Sequence, residues 1–224
     1  MPNLFLCWDR YECEKAFLGK SLSNRKLQTK VSSVDGNKVT LEETIFFAFS
    51  GGQESDHGSI GGYEVLKAGK VGKKIFYTLP DDHMLKTGDT VDVVIDEETR
   101  LNLMKLHFAA ELVLIIVTEN YGYPGKTGAH ISPDKVRVDF AWEGSIDPIL
   151  PEVSARLNQI IEGNLPITSV FENESEERRY WEIEGLAKVP CGGTHPKKTG
   201  KLGKMRLKRK NIGKGQERIE ITFD

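Results

Sequence analysis

Two short segments of the chain carry side chains that bind metals or act on esters. In "LHFAAEL", His107 and Glu111 are four positions apart, so on a helix both lie on one face. In "CGGTH", Cys191 and His195 enclose a pair of glycines, whose flexible backbone lets a thiol and an imidazole converge. Together the two pairs offer nitrogen, oxygen, sulfur and nitrogen, a donor set that suits tetrahedral Zn²⁺ better than Mg²⁺ or Ca²⁺.

Each pair taken alone has other interpretations. A long helix easily contains a satisfied histidine near a boundary charge, so His107 and Glu111 by themselves favour a structural role. Cys191 is also a candidate nucleophile that His195 would activate, and a tight turn with an incidental thiol fits the spacing equally well. The spacing does not decide among a metal site, a thiol enzyme and a turn.

A glycine-rich segment, "TIFFAFSGGQESDHGSIGG" at residues 44–62, lies between predicted strands. It lacks the lysine of a P-loop and no helix clearly follows it, so nucleotide binding is disfavoured. A ligand-binding loop and a loop that only turns sharply both stay open.

The C-terminal segment is strongly basic. Residues 188–218 contain 11 lysines and arginines against Glu217 alone, a net charge of +10, whereas the whole chain carries −2. Basic residues alternate with Met205 and Leu207, which would place charge on one face of a sheet, suited to a phosphate backbone. A solvated surface is the alternative.

Composition indicates a soluble globular protein, with 38% hydrophobic and 29% charged residues in 224. No apolar run approaches the ~20 residues that span a bilayer, and the N-terminal sequence does not resemble a signal peptide. The three cysteines have no disulfide spacing, and Cys7 and Cys13 are expected to be structural. We therefore expect a cytoplasmic protein.

The elements that position the candidate residues change in type near residue 96. Residues 1–96 read as short strands with turns, including a hairpin around Asp35-Gly36-Asn37 and the strands "KKIFYTLP" and "DTVDVVID". This pattern predicts a small β-barrel or sandwich.

Residues 97–224 mix helices with mostly antiparallel strands, which predicts an α+β domain. Asp96 is a predicted N-cap for a helix over residues 97–118, and Asp147-Pro148 opens a second helix. "ENESEERRYW" is interpreted as a short helix. Strands are predicted for "KVRVDF", "ITSVFE", "GKMRLKRK" and "ERIEITF".

The motifs in this order resemble a known family. "TIFFAFSGGQESDHG", "RLNLMKLHFAAEL", "KVRVDF" and "VPCGGTHPKKTGKLG" followed by "GKGQERIEI" are similar to the editing domain of alanyl-tRNA synthetase and its free-standing relatives, the AlaX trans-editing proteins. The resemblance covers about residues 44–223 and includes no ATP-binding aminoacylation domain. It implies an N-terminal small β-barrel followed by a two-layer α/β editing domain of the threonyl/alanyl-tRNA synthetase type.

The resemblance also implies an activity: hydrolysis of the ester that links a wrong amino acid, chiefly serine and also glycine, to tRNA(Ala). The expected partner is the acceptor end of mischarged tRNA(Ala), with no membrane and no obligate protein partner. A diverged, non-catalytic tRNA-binding relative is the alternative.

Roles transfer from the family to matching positions only. The family's zinc motif is a histidine, three residues and a histidine, then a cysteine, three residues and a histidine. His107, Cys191 and His195 match it, whereas Glu111 stands where the second histidine is expected and Phe108 replaces the usual threonine. In the glycine-rich motif, the resemblance gives catalytic roles to Thr44, which would sense the serine hydroxyl, and to Gln53, which would face the editing pocket. The expected substrate-binding residues are Gly51, Gly52, Lys197 and Lys198, and Asp56 and Gly58 also match the glycine-rich motif.

Glu111 has two expected roles. As a ligand at ~2.0–2.2 Å it would complete a tetrahedral zinc site, but together with the Cys191 thiolate it would neutralise the ion and weaken it as a Lewis acid. As a general base it would act on the attacking water and leave three protein ligands around the metal. A metal-free site is the third alternative.

Overall fold

A computed structural model describes residues 25–72, 74–173, 178–213 and 215–224, with only the backbone described at positions 172, 173 and 178. The N-terminal sequence and the expected structural role of Cys7 and Cys13 lie outside the described residues. The described chain divides into two compact units, residues 25–50 with 54–101 and residues 51–53 with 102–224. The predicted boundary between residues 96 and 97 stays a prediction.

The first unit is built on a seven-stranded antiparallel sheet with the order β4-β3-β7-β1-β2-β6-β5. The sheet curls like half a barrel, and in the described chain its edge strands β4 and β5 do not pair with each other. Its strands are β1 Lys26–Asp35, β2 Lys38–Leu41, β3 Gly58–Ile60, β4 Tyr63–Glu64, β5 Lys67–Val71, β6 Lys74–Thr78 and β7 Thr90–Ile95.

The sequence predicted the local features of this sheet. The hairpin at Asp35 is confirmed, since Asp35 pairs with Lys38 across a turn in which Gly36 has a φ of 56°, a conformation that favours glycine. The two predicted strands "KKIFYTLP" and "DTVDVVID" correspond to β6 and β7. The sheet is a half barrel, whereas the sequence predicted a barrel or sandwich. The prediction differs because closure of a sheet depends on pairing between distant strands, which local alternation does not show.

In its described residues, the second unit contains two α-helices, the 3₁₀ helices Asp147–Ile149 and Thr199–Leu202, and two antiparallel sheets with the orders β10-β11-β12 and β13-β14-β9-β8. This mixture confirms the α+β class. Its elements are α1 Glu97–Tyr121, which begins in the first unit, β8 Lys126–Ile131, β9 Lys135–Ala141, α2 Leu150–Glu162, β10 Thr168–Asn173, β11 Arg178–Ile183, β12 Ala187–Pro190, β13 Met205–Gly213 and β14 Gln216–Phe223.

Helix α1 confirms the strongest sequence prediction. Asp96 caps it by accepting a hydrogen bond from the backbone N–H of Thr99 at 2.8 Å, and the hydrogen bonds with Thr99 hold the pKa of Asp96 below its ordinary value. The expectation that no apolar run approaches membrane-spanning length is wrong, because α1 is long and apolar enough to cross a membrane. Since 78% of its most apolar window is buried inside the protein, α1 is a core helix.

One predicted element is wrong. "ENESEERRYW" was expected to form a short helix, but residues Arg178–Ile183 form strand β11, with positions 174–177 outside the description. The acidic composition is compatible with a helix, yet Trp181 and Ile183 are both buried two positions apart, the spacing of a strand face. Pairing with β10 and β12 on either side stabilises this conformation.

Candidate metal centre

Four buried side chains meet in the second unit, two from helix α1 and two from the turn that follows strand β12. The Oε2 atom of Glu111 lies 3.3 Å from Nε2 of His195 and 3.6 Å from Nε2 of His107. The Cys191 Sγ atom lies 3.5 Å from the same Nε2 of His107, and one ligand atom from each of the four residues is within 4.8 Å of the others. The structure therefore brings together the four residues that the sequence proposed as metal ligands.

Three of the six separations between the four donor atoms match those of a tetrahedral zinc shell. Donor atoms at ~2.0–2.2 Å for nitrogen and oxygen and ~2.3 Å for sulfur, placed at tetrahedral angles, are about 3.3–3.6 Å apart. The separations of 3.3 Å between Glu111 and His195, 3.5 Å between Cys191 and His107 and 3.6 Å between Glu111 and His107 fall in this range. Within the described chain, neither carboxylate oxygen of Glu111 nor Nε2 of His195 is in hydrogen-bond geometry, so these buried atoms have unused capacity that a cation would satisfy.

Electrostatics favours the protonation states that bind metals. Burial by itself raises the pKa of Glu111, but the neighbouring His107 and His195 imidazoles outweigh it and hold the pKa below its ordinary value. Burial lowers the pKa of His195, although Glu111 opposes this effect. The site therefore favours a carboxylate beside a neutral imidazole, both competent ligands.

The turn after β12 has a glycine where no larger residue fits. A Cβ atom at Gly193 would lie 2.5 Å from Nε2 of His107 and 3.3 Å from Sγ of Cys191. The Gly193 N–H donates to the Cys191 sulfur at 3.3 Å, and Arg179 donates to the Gly193 carbonyl at 3.3 Å. The close approach lets the backbone stabilise a thiolate at Cys191.

Aromatic rings enclose His195. The Phe108 ring contacts it at a centroid distance of 5.6 Å and the buried Trp181 ring at 6.4 Å. On its other side, Nδ1 of His195 lies 3.2 Å from the hydroxyl of Ser169. Phe108, which replaces the threonine that the resemblance leads us to expect, thus serves as part of the wall around a candidate ligand.

Gln53 lies in the same unit as the metal centre. It forms a parallel bridge with Ile131, and the Gly52 carbonyl accepts a hydrogen bond from Ile131 N–H at 2.8 Å. Gly51 and Gly52 have φ values of 59° and 83°, which favour glycine. The Gln53 side chain is buried, and in the described part of the chain neither amide atom has a hydrogen-bond partner. A buried, unsatisfied amide of this kind is available to a ligand.

Thr44 lies in the other unit and its hydroxyl is buried. The hydroxyl accepts hydrogen bonds from the Tyr77 hydroxyl at 2.7 Å and from Phe46 N–H at 3.0 Å. Because these two bonds occupy the lone pairs of the oxygen, the hydroxyl proton is what Thr44 can still offer.

Asp56 and Gly58, the other matches in the glycine-rich motif, make contacts that stabilise the fold. Asp56 pairs with the buried Arg100, and it accepts a hydrogen bond from Phe47 N–H at 2.5 Å. A Cβ atom at Gly58 would lie 2.1 Å from the Val94 carbonyl oxygen, so only glycine fits. These contacts hold the segment in place within the first unit.

The basic residues near the metal centre are exposed. Lys197 and Lys198 follow His195 closely, and their backbone is fixed because Ile167 N–H donates to the Lys197 carbonyl at 2.9 Å. From Met205 to Lys210 of β13, exposed residues alternate with less exposed ones, as predicted, and the exposed ones are Arg206, Lys208 and Lys210.

Several residues around the site have no signal in the sequence. Ser169, Arg179 and Trp181 touch His195 or the cysteine turn, but nothing in their local pattern indicates it. The sequence indicates Gly193 only as one of a flexible pair of glycines. Its closeness to His107 depends on a contact between segments 84 residues apart.

The chain is similar to proteins of known name. The alanyl-tRNA editing protein AlaX-M of Methanosarcina acetivorans is 30% identical over 232 residues, covering 89% of this chain and 94% of that protein. AlaX-M of Pyrococcus horikoshii is 29% identical, covering 89% of this chain and 93% of that protein. Alanine–tRNA ligase of Methanococcus maripaludis is 31% identical over 88% of this chain, which spans only 24% of the ligase. The chain matches no family model.

Proposed function

This chain belongs to the AlaX family of alanyl-tRNA editing proteins, and from that membership we propose that it hydrolyses the ester bond between a wrong amino acid and tRNA(Ala). The proposed substrates are chiefly Ser-tRNA(Ala) and, second, Gly-tRNA(Ala), and the proposed setting is the cytoplasm. The observation that carries the proposal is the buried cluster of His107, Glu111, Cys191 and His195.

The physical need for such an activity follows from the size of alanine. A pocket shaped for alanine cannot exclude the smaller glycine by size, and rejecting one added hydroxyl gains only ~1–3 kcal/mol. Because this discrimination is too small for translation, a second hydrolytic site that removes the wrong amino acid is required.

Zn²⁺ is the proposed cofactor, and the donor set fits it. When bound, Zn²⁺ would supply a positive charge that polarises an oxygen of the substrate or of water. The position of Glu111 favours ligation over general-base catalysis, because one carboxylate oxygen faces both imidazoles at 3.3 and 3.6 Å, as a shared ion requires. With the Cys191 thiolate, this carboxylate would give the shell two negative charges and moderate the charge of the ion.

The remaining proposed roles belong to groups with free hydrogen-bonding capacity. Gln53, beside Gly51 and Gly52, would orient the aminoacyl end through its buried amide. Thr44 would donate its remaining proton to the serine hydroxyl, an interaction that alanine cannot make. In the reaction, a water oxygen bonds to the ester carbonyl carbon, the bond to the ribose oxygen breaks, and that oxygen leaves with a proton.

Lys197 and Lys198 are proposed to contact phosphates near the acceptor end. Their exposure and their positions two and three residues after His195 support this role. The basic face of β13 would hold the backbone further along the acceptor stem, with an affinity that falls as salt rises.

A non-catalytic tRNA-binding relative is the second candidate. The observation that favours it is the departure from the family's zinc motif, since Glu111 replaces an expected histidine and Phe108, packed against His195, replaces a threonine. In this alternative the basic residues bind tRNA, but the altered centre does not support hydrolysis.

The deciding experiment compares deacylation of Ser-tRNA(Ala) and Ala-tRNA(Ala) by the purified protein, with its zinc content measured in parallel. We expect the serine ester to be hydrolysed faster than in buffer and the alanine ester to be spared. If binding of tRNA is seen without faster hydrolysis of the serine ester, the non-catalytic alternative is correct.

A second comparison separates zinc chemistry from a cysteine nucleophile. We expect both a chelator and the variant Cys191→Ser to reduce hydrolysis, because each disrupts the ion-binding shell. A nucleophilic cysteine predicts another pattern, in which the activity survives the chelator but is lost in Cys191→Ser. Activity that survives both treatments would contradict both the zinc and the thiol assignments.

A further inference from the structure

The imidazole of His195 is held at both of its nitrogens. Nε2 faces Glu111 Oε2 at 3.3 Å inside the donor cluster, and Nδ1 lies 3.2 Å from Ser169 Oγ on strand β10. A histidine that binds a metal through Nε2 must carry its proton on Nδ1. In that tautomer, Nδ1–H donates the hydrogen bond and the Ser169 hydroxyl accepts it.

We propose that Ser169 is a positioning residue of the metal centre, which selects the Nδ1–H tautomer of His195 and fixes the direction of the Nε2 lone pair. This inference rests on the proposed metal site. It concerns a residue that lies outside the zinc motif and contacts Nδ1 of His195, the ring nitrogen on the far side from Glu111.

The three-stranded sheet makes Ser169 suited to this task. Ser169 on β10 is paired with Trp181 on β11, which is paired with Val189 on β12, so the three residues form one row across the sheet. Cys191 follows directly after β12. One rigid element therefore carries both a candidate ligand and the residue that would orient another ligand.

The two aromatic rings beside His195 cannot replace the hydroxyl. Phe108 and Trp181 present aromatic rings at centroid distances of 5.6 and 6.4 Å, and these give shape but no acceptor for Nδ1–H. Because His195 is buried, loss of the hydroxyl would leave a buried donor without a partner in this tautomer. The ring could then turn, or shift its proton to Nε2, and either change removes a ligand.

The test measures zinc affinity of the full chain, by competition of metal-depleted protein with a chromophoric chelator. Partners of ligand histidines typically contribute about 10–100-fold to metal affinity. We expect Ser169→Ala to weaken zinc binding by about this factor and Ser169→Thr, which keeps the hydroxyl, to restore most of it. Thr168→Ala, at the exposed neighbouring position of the same strand, is the matched control and should leave the affinity unchanged.

Several outcomes would overturn the inference. Wild-type zinc affinity in a folded Ser169→Ala variant is one of them. A second measurement does not need the variant: ¹⁵N NMR of the zinc-bound wild-type protein should show His195 protonated at Nδ1, and protonation at Nε2 contradicts the proposal. If the wild type binds no zinc, the metal assignment fails together with this inference, whereas deacylation of Ser-tRNA(Ala) is scored separately and tests the proposed function.

Discussion

Replacing Glu111 by glutamine distinguishes a metal ligand from a general base. The substitution keeps the shape of the side chain and removes its negative charge, at a position that is 2% exposed. The Oε2 atom lies 3.3 and 3.6 Å from two imidazole nitrogens, so as a ligand it occupies one vertex of the donor cluster. Its loss should therefore change zinc affinity directly.

The expected loss of zinc affinity follows from comparison with substitutions that disturb a metal site less. Removing a residue that only supports a ligand costs about 10–100-fold in metal affinity, so loss of a charged ligand should cost at least ~100-fold, or about 2.7 kcal/mol. Glu111→His offers an imidazole at the same vertex, as the family's motif does. We expect this variant to bind zinc within about tenfold of the wild type.

Two measurements on each variant are needed, namely zinc affinity by chelator competition and the rate of Ser-tRNA(Ala) deacylation. We expect Glu111→Gln to lose both and Glu111→His to keep both, with a hydrolytic rate at least equal to the wild type because its ligand shell carries less negative charge. If Glu111→Gln keeps wild-type zinc affinity and loses only hydrolysis, Glu111 is a base and the ligand assignment is refuted. Thermal unfolding of each variant verifies that the chain is folded.

Three further predictions concern single features of the structure. Gly193→Ala should weaken zinc binding at least ~10-fold in the chelator assay, because the added Cβ would lie 2.5 Å from Nε2 of His107. Unchanged zinc affinity would contradict this close approach. Replacing both Lys197 and Lys198 by glutamate should raise KM for Ser-tRNA(Ala) at least ~10-fold and leave kcat little changed. Replacing both by glutamine should have a smaller effect on KM. An effect confined to kcat would exclude a phosphate contact. Arg100→Met should lower the free energy of unfolding in urea by about 3–5 kcal/mol, because it leaves the buried Asp56 without its positively charged partner. A loss below ~1 kcal/mol would show that the fold does not need this ion pair.

Local patterns in the sequence correctly predicted most of the elements. Helix α1 follows from an N-cap at Asp96 and an uninterrupted apolar run, and the hairpin at Asp35 follows from its turn residues, since both signals act over a few neighbouring positions. Strand β11 was mispredicted because its acidic surroundings favour a helix, whereas pairing with β10 and β12 decides its conformation. The prediction that no apolar run reaches membrane-spanning length is wrong for α1, and its burial within the protein, which the sequence does not show, identifies it as a core helix.

In the candidate site, too, the sequence determined the local arrangements and the tertiary structure decided the long-range contacts. The sequence by itself determined that His107 and Glu111 share a helix face and that Cys191 and His195 share a turn, because each pair is close along the chain. Only the tertiary structure decided that the two pairs meet, that Glu111 directs one oxygen at both imidazoles, and that Gly193 must lack a side chain. Those contacts join segments 84 residues apart, and such contacts are set by packing of the whole unit, which periodicity and spacing do not encode.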